Sequence, residues 1–208
     1  MCSSDLVAQA TNRLDEATTV TGTDLSTLRS VGDWLRENAP SEPETTLVHG
    51  DFRPGNLLFT GSDRPEIAGV LDWESAMLGD PLTELGYLLL RWRDEGDPTP
   101  SIGELEARYS NESELHYLRE VNESGLAPFT SNPGSPTRRE VIARYEERTG
   151  LTFENERFYV ALAAFLLATV WADLHRDRIE SGEESDWLPH IDYVSMLAES
   201  VVSGEFEV

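Results

Sequence analysis

Apolar residues recur at helical spacing along most of the chain. Because three or four residues separate successive apolar positions, one face of each helix is apolar and can pack in a core. The pattern predicts helices that begin after Asp24, Asp80 and Thr137, a weaker helix over Glu112–Glu123, a long helix over Phe153–Ile179 and a last helix over Pro189–Val202. The sequence therefore predicts a mainly helical protein.

Capping signals indicate where two of these helices begin. Asp80-Pro81 places an aspartate at the N-cap and a proline at the first helical position. Thr137 and Glu140 have the spacing of a capping box, and Gly150 predicts the end of the same helix.

Two short apolar runs predict a β-hairpin in the first third of the chain. Residues 56–60 and 67–71 form the strands, and the segment 61–65 has the composition of a turn. Asn56 opens the first strand and Asp72 follows the second, so the hairpin brings them to the same end. The predicted fold class is α+β, mainly helical, with one small hairpin at an edge.

The chain has the length of one ordinary domain and can bury a sizeable core, since it contains 208 residues. Residues 1–23 are rich in Thr, Ser and Asp, and we expect a flexible N-terminal segment there. Residues 24–208 are expected to form the folded lobe.

Two segments carry candidate chemistry. Residues 49–56 read His-Gly-Asp-Phe-Arg-Pro-Gly-Asn after a short strand at 45–48, and residues 70–74 read Val-Leu-Asp-Trp-Glu. Asp51 could accept a proton from a hydroxyl group. Asn56 and Asp72 offer the hard oxygen ligands that Mg²⁺ prefers. The Asp-x-x-x-x-Asn spacing with a preceding His is that of a kinase catalytic loop.

These motifs, together with Leu78-Gly79-Asp80-Pro81 and the Arg-rich segment 138–150, resemble the aminoglycoside phosphotransferase and choline kinase superfamily. The chain looks most like the small-molecule phosphotransferase domains that are sometimes fused to acyl-CoA dehydrogenases. The resemblance covers residues 25–200 and implies the C-terminal lobe of a protein-kinase-like fold, with the hairpin at its active edge.

The resemblance also implies a role for each residue of the site. Asp51 would be the catalytic base, and Asn56 and Asp72 would hold Mg²⁺ against the phosphates of ATP, the co-substrate. Arg53 would lie near the transferred phosphate. His49 and Asp80 would support the loop structurally, and the acceptor would be a hydroxyl group of a small molecule.

The charge of the chain is strongly negative. It carries 39 acidic and 16 basic residues, all of the basic ones arginine, for a net charge of −23. A surface this acidic repels itself, and molar salt screens that repulsion. The composition indicates a salt-loving source, with an acidic mesophilic protein as the alternative. It also argues against nucleic acid as a partner, because no basic stripe is present.

Lysine is absent from the sequence, although kinase-like enzymes use a lysine to hold nucleotide phosphates. The only glycines before residue 49 are Gly22 and Gly32, and neither belongs to a phosphate-loop pattern. We therefore expect these residues to lack the N-terminal nucleotide-binding lobe of the family.

Cys2 is the only cysteine, so an intrachain disulfide is excluded and a reducing, cytoplasmic location is expected. We also expect no signal peptide at the N-terminus. The most apolar stretch, Phe158–Trp171, has 14 residues where a membrane span needs about 20, which predicts a buried core helix and no membrane partner.

Two alternative functions remain open from the sequence. One is a non-catalytic kinase-like remnant or binding module. The other is a metal-dependent hydrolase that uses His49, Asp51 and Asp72.

Overall fold

Eight α-helices make up most of the protein in a computed structural model that describes residues 3–41 and 44–206. Cys2 lies outside the described residues. The helices are α1 Ser3–Thr21, α2 Ser26–Glu37, α3 Pro81–Leu90, α4 Ile102–Arg108, α5 Glu112–Ser124, α6 Arg138–Thr149, α7 Glu156–Glu180 and α8 Leu188–Ser203. The mainly helical fold predicted from the sequence is confirmed.

Four short strands pair as two antiparallel ribbons. β1 (Thr46–Val48) pairs with β4 (Met77–Gly79), and β2 (Leu57–Thr60) pairs with β3 (Glu66–Val70). The second ribbon is the predicted hairpin, and it has a register irregularity between Leu58 and Phe59. The β1–β4 pairing was not predicted. The hairpin and both candidate motifs lie between β1 and β4 in the sequence.

Helix α7 is the centre of the core. It packs against α1, α3 and α8, and ten of its residues between Phe158 and Ala172 are apolar and at most 3% exposed. By length and composition alone α7 could cross a membrane, but 67% of its most apolar window is buried inside the protein. The structure thus confirms the predicted buried core helix.

The N-terminal segment is helical, and the prediction that residues 1–23 are flexible was wrong for residues 3–21. Val7, Ala10, Leu14 and Ala17 are at most 2% exposed and lie on one face of α1 against the core. These residues are three or four positions apart and therefore form one apolar stripe on the helix. Such a stripe supports a packed helix even though polar residues dominate the composition of the segment.

The predicted caps are present. The Asp80 side chain accepts a hydrogen bond from the Leu82 N–H, and Pro81 is the first residue of α3. Thr137 and Glu140 form the reciprocal bonds of a capping box, and Gly150 ends α6 in the left-handed conformation. Helix α4 was not predicted, because its first residues fall in a stretch that reads as a linker.

Candidate active site

The loop between β1 and β2 carries Asp51 at the edge of the helical core. Gly50 precedes it with φ of +83°, a backbone conformation that strongly favours glycine. A Cβ at Gly50 would lie 2.4 Å from the carbonyl oxygen of Ser75, so the loop also passes too close to the next segment for any side chain. The Gly50 N–H donates to Glu84 Oε1 at 2.9 Å, which ties the loop to α3.

Three side chains donate hydrogen bonds to the Asp51 carboxylate. Tyr87 Oη donates to Oδ1 at 2.6 Å, while Arg53 Nε and Asn56 Nδ2 donate to Oδ2 at 3.0 Å and 2.9 Å. Asn56 Nδ2 also donates to the Asp51 carbonyl oxygen at 2.9 Å. The carboxylate is therefore held in one orientation from both sides.

These donors set the ionisation of Asp51. Burial alone would raise its pKa, but the hydrogen bonds from Tyr87, Arg53 and Asn56 favour the ionised form and lower the pKa below the ordinary value of 3.8. The same hydrogen bond from Arg53 raises the pKa of the Arg53 guanidinium. Asp51 is thus ionised at neutral pH and able to accept a proton.

His49 joins the loop to the end of β3 through hydrogen bonds. Its Nε2 lies 2.7 Å from the carbonyl oxygen of Leu71, and its Nδ1 accepts the Asp51 N–H at 3.2 Å. Because a carbonyl only accepts, these partners assign the proton to Nε2. Both ring nitrogens are occupied, and His49 is consequently not free to bind a metal, which weighs against the hydrolase alternative.

The two predicted metal ligands lie at the same end of the hairpin. Asn56 is 5% exposed, and since Nδ2 binds Asp51, its Oδ1 is the atom that could coordinate a cation. The Leu71 N–H donates to the Asn56 carbonyl oxygen at 2.8 Å, which joins the two chain segments directly before Asp72.

Asp72 has φ of 67° and ψ of 49°, the left-handed conformation that few non-glycine residues adopt. In the described chain only Asn155 shares a positive φ among non-glycine residues. Such backbone conformations concentrate at functional sites. Oxygen ligands from one amide and one carboxylate fit Mg²⁺, which keeps several water or phosphate ligands.

Asp80 does not contact the catalytic loop through any hydrogen bond of the described residues. It is 1% exposed, and its Oδ2 accepts from Ser3 Oγ at 3.0 Å and from Tyr159 Oη at 2.7 Å. Asp80 therefore joins α3 to α1 and α7. The support of the loop that was predicted for Asp80 comes instead from Glu84, which accepts the Gly50 N–H. Burial raises the pKa of the Glu84 carboxyl.

One cavity of about 350 Å³ connects these residues. Asp51, Asp72, Glu84 and Tyr87 are among its lining residues. Aliphatic side chains also line it, from Leu6 of α1 and from residues of α7 that include Leu162, Leu166, Leu167 and Val170. The base and one predicted metal ligand thus face a shared space that a small molecule could enter.

Sequence analysis did not predict Glu84 and Tyr87 as site residues. Both lie on α3 three residues apart, so they share one face of that helix. Their position after the capped Asp80-Pro81 start was available as a signal. What was missing was the direction in which α3 packs, which depends on α7.

Solved structures share this arrangement of elements. A protein from Ralstonia eutropha assigned as an aminoglycoside phosphotransferase matches 98% of this chain with a TM-score of 0.67 and 20% sequence identity, and the match covers 56% of that protein. Since the identity is low, this likeness shows the fold. The fold is that of a helical, kinase-like lobe.

Sequence relatives give the family. Residues 3–121, more than half of the chain, match the sequence profile of the phosphotransferase enzyme family, and the chain belongs to that family. Mouse (Mus musculus) acyl-CoA dehydrogenase family member 11 is 31% identical over 160 residues, and member 10 is 30% identical over 144 residues. These matches cover 74% and 69% of this chain but only 17% and 11% of the relatives.

Proposed function

We propose that this chain transfers a phosphoryl group from ATP to a hydroxyl group of a small molecule, with Mg²⁺ as cofactor. The observation that carries the proposal is the Asp51 carboxylate, held by three donors and facing the same cavity as Asp72. Membership of the phosphotransferase family supports it.

Each residue of the site has a defined task in this reaction. Asp51 orients the acceptor hydroxyl and takes its proton while the oxygen forms a bond to phosphorus and the bond to the leaving diphosphate breaks. Arg53, 43% exposed beside Asp51, offers positive charge to the transferred group. Asn56 Oδ1 and the Asp72 carboxylate would hold Mg²⁺, which neutralises phosphate charge when bound.

We further propose that a nucleotide-binding lobe docks on the exposed apolar surface of the ribbons. Leu47 and Leu78 are cross-strand partners and are 62% and 64% exposed, and Phe59 and Ile67 are partners that are each 58% exposed. Two-stranded ribbons are marginally stable alone, and contiguous exposed apolar surface marks an interface. Such a lobe would supply the lysine that this sequence lacks.

The test is a phosphotransfer assay with γ-labelled ATP, Mg²⁺ and a panel of aminoglycosides, amino alcohols, sugars and hydroxyacyl thioesters. The chain is assayed alone and together with the polypeptide encoded directly upstream of it. We expect activity only in the second preparation, and Asp51→Asn to lower turnover by about 10²-fold or more.

Asp192→Asn is the matched control, because Asp192 also accepts hydrogen bonds from a tyrosine and an arginine but lies away from the cavity. Turnover near the wild-type level in Asp51→Asn would refute the catalytic assignment. No consumption of labelled ATP and no labelled acceptor in any preparation would favour the non-catalytic alternative.

A further inference from the structure

Tyr87 of helix α3 contacts the Asp51 carboxylate, and Arg91, directly after that helix, stacks on the Tyr87 ring. The family resemblance assigns a role to neither. Tyr87 Oη donates to Asp51 Oδ1 at 2.6 Å, a short distance typical of a hydroxyl bound to an ionised oxygen. Arg91 lies one helical turn further on, with its guanidinium carbon 3.7 Å from the centre of the Tyr87 ring. Arg91 Nη1 also donates to the Tyr87 carbonyl oxygen at 3.0 Å.

The two oxygens of Asp51 have different surroundings. Oδ2 is engaged by Arg53 and Asn56, and neither residue lines the 350 Å³ cavity. Oδ1 is engaged by Tyr87, which lines that cavity together with Asp51. Oδ1 is therefore the oxygen whose hydrogen-bond partner lines the cavity. An acceptor hydroxyl that enters the cavity would approach Asp51 beside the Tyr87 hydroxyl.

Arg91 strengthens this contact through the ring. Its cation stacks on Tyr87, and none of the ion pairs of the described residues involves Arg91. Burial raises the pKa of Tyr87 to about 12, and the positive charge of Arg91 partly offsets that rise. A more acidic hydroxyl is a better hydrogen-bond donor, and at neutral pH the Tyr87 hydroxyl is protonated and donates to the ionised Asp51.

We infer that Tyr87, with Arg91 stacked on its ring, is a positioning residue that fixes the orientation of the Asp51 carboxylate. The inference rests on the phosphoryl transfer proposed above. Tyr87 holds Oδ1 beside the cavity, and the hydrogen bonds that Arg53 and Asn56 donate to Oδ2 prevent the carboxylate from turning. A base misplaced by about 1 Å can lose 10²-fold in rate.

The first experiment measures the hydrogen bond to Asp51 at one fixed, neutral pH, by the ¹³C chemical shift of its side-chain carboxyl carbon in the 208-residue chain, assigned with Asp51→Asn. Tyr87→Phe removes the donor to Oδ1, and the carboxyl chemical shift should move away from its wild-type value. Arg91→Gln leaves the hydroxyl in place and should move the chemical shift in the same direction by less. The other charged groups that face Asp51 are Arg53 on its own loop, Asp72 after β3 and Glu84 on α3, and all three are unchanged in both variants.

Tyr109→Phe is the matched control. Tyr109 Oη donates to Asp192 Oδ2 at 2.7 Å, and Arg108 pairs with the same carboxylate, but this cluster lies between α4 and α8. The control loses a hydroxyl of the same kind and should leave the Asp51 carboxyl chemical shift unchanged. Far-ultraviolet circular dichroism verifies that each variant is folded.

The second experiment measures kcat and KM in the active preparation of the phosphotransfer assay. Tyr87→Phe should lower kcat by about tenfold to 10²-fold with KM for ATP nearly unchanged, because the base is displaced and nucleotide contacts are not. An Asp51 carboxyl chemical shift that stays at the wild-type value in both Tyr87→Phe and Arg91→Gln overturns the inference, and so does an unchanged kcat. If the wild-type protein transfers no phosphate, the proposed function fails, and the chemical shift still decides whether Tyr87 holds the Asp51 carboxylate.

Discussion

Gly86→Ala should separate α3 from α7 and thereby displace the α3 side chains that contact the candidate active site. Gly86 lies on the side of α3 that meets α7, and a Cβ there would lie 2.6 Å from the Tyr159 carbonyl oxygen, 2.7 Å from its carbonyl carbon and 2.8 Å from its Cβ. Two of these atoms belong to the backbone of the central helix, so no side-chain rotation relieves the overlap. Since carbon contacts are comfortable at about 3.5–4.0 Å, the helices must move apart by roughly 1 Å.

The free energy of unfolding follows from two opposing terms. Overpacking a close-packed core costs about 1–3 kcal/mol, and backbone atoms place this site at the upper end. Alanine in a helix interior recovers about 1 kcal/mol relative to glycine. The net effect is a destabilisation of about 2 kcal/mol, which for a chain of this size lowers Tm by roughly 4–8 °C.

Urea unfolding followed by circular dichroism measures this effect, and Gly103→Ala is the matched control. Gly103 is also helical, in α4, but the nearest atom to its added Cβ is Ser101 Oγ at 4.0 Å. The control should be neutral or slightly more stable than wild type. A Gly86→Ala protein at least as stable as Gly103→Ala would show that the α3–α7 approach tolerates a side chain and would refute the reasoning.

Three further predictions concern charge and metal. Asparagine suits the left-handed backbone at position 72 but carries no negative charge. Asp72→Asn should therefore bind Mg²⁺ in the presence of nucleotide more weakly than wild type in isothermal titration calorimetry, with unchanged Tm. Burial raises the pKa of Glu84 above its ordinary value of 4.5, so ionisation of Glu84 costs stability at neutral pH. Glu84→Gln should therefore be more stable than wild type at pH 7 in urea unfolding. The difference should disappear as the pH falls below 4.5. Because the net charge is −23, molar KCl should raise Tm, and a Tm independent of salt would contradict the self-repulsion argument.

Much of the fold and half of the site could be predicted from local patterns. The hairpin, the cap at Asp80 and the capping box at Thr137 depend on residues close in sequence, and the structure confirms them. The contact of Asn56 with Asp51 is also local, spanning five residues.

Features that depend on distant packing were not predicted. The β1–β4 pairing joins residues about 30 positions apart, and Leu47 and Leu78 are exposed on it, so no burial pattern indicated the register. Helix α1 was interpreted as flexible because its composition is polar, although the stripe from Val7 to Ala17 was present in the sequence. Composition averages over all faces of a helix, whereas packing depends on one face.

The active site depends on helix α3 through both of its faces. Leu85 and Leu89 are at most 3% exposed and fix the helix in the core, and Gly86 allows it to approach α7. On the same helix Glu84 binds the backbone of the catalytic loop, and Tyr87 binds the carboxylate of Asp51. The loop begins with five residues without regular structure, 49–53, after a three-residue strand, and this irregular segment alone does not hold a carboxylate in place. The orientation of Asp51 is therefore a consequence of how α3 packs on α7, and substitutions in that helix interface should affect the proposed phosphoryl transfer even at positions that do not line the cavity.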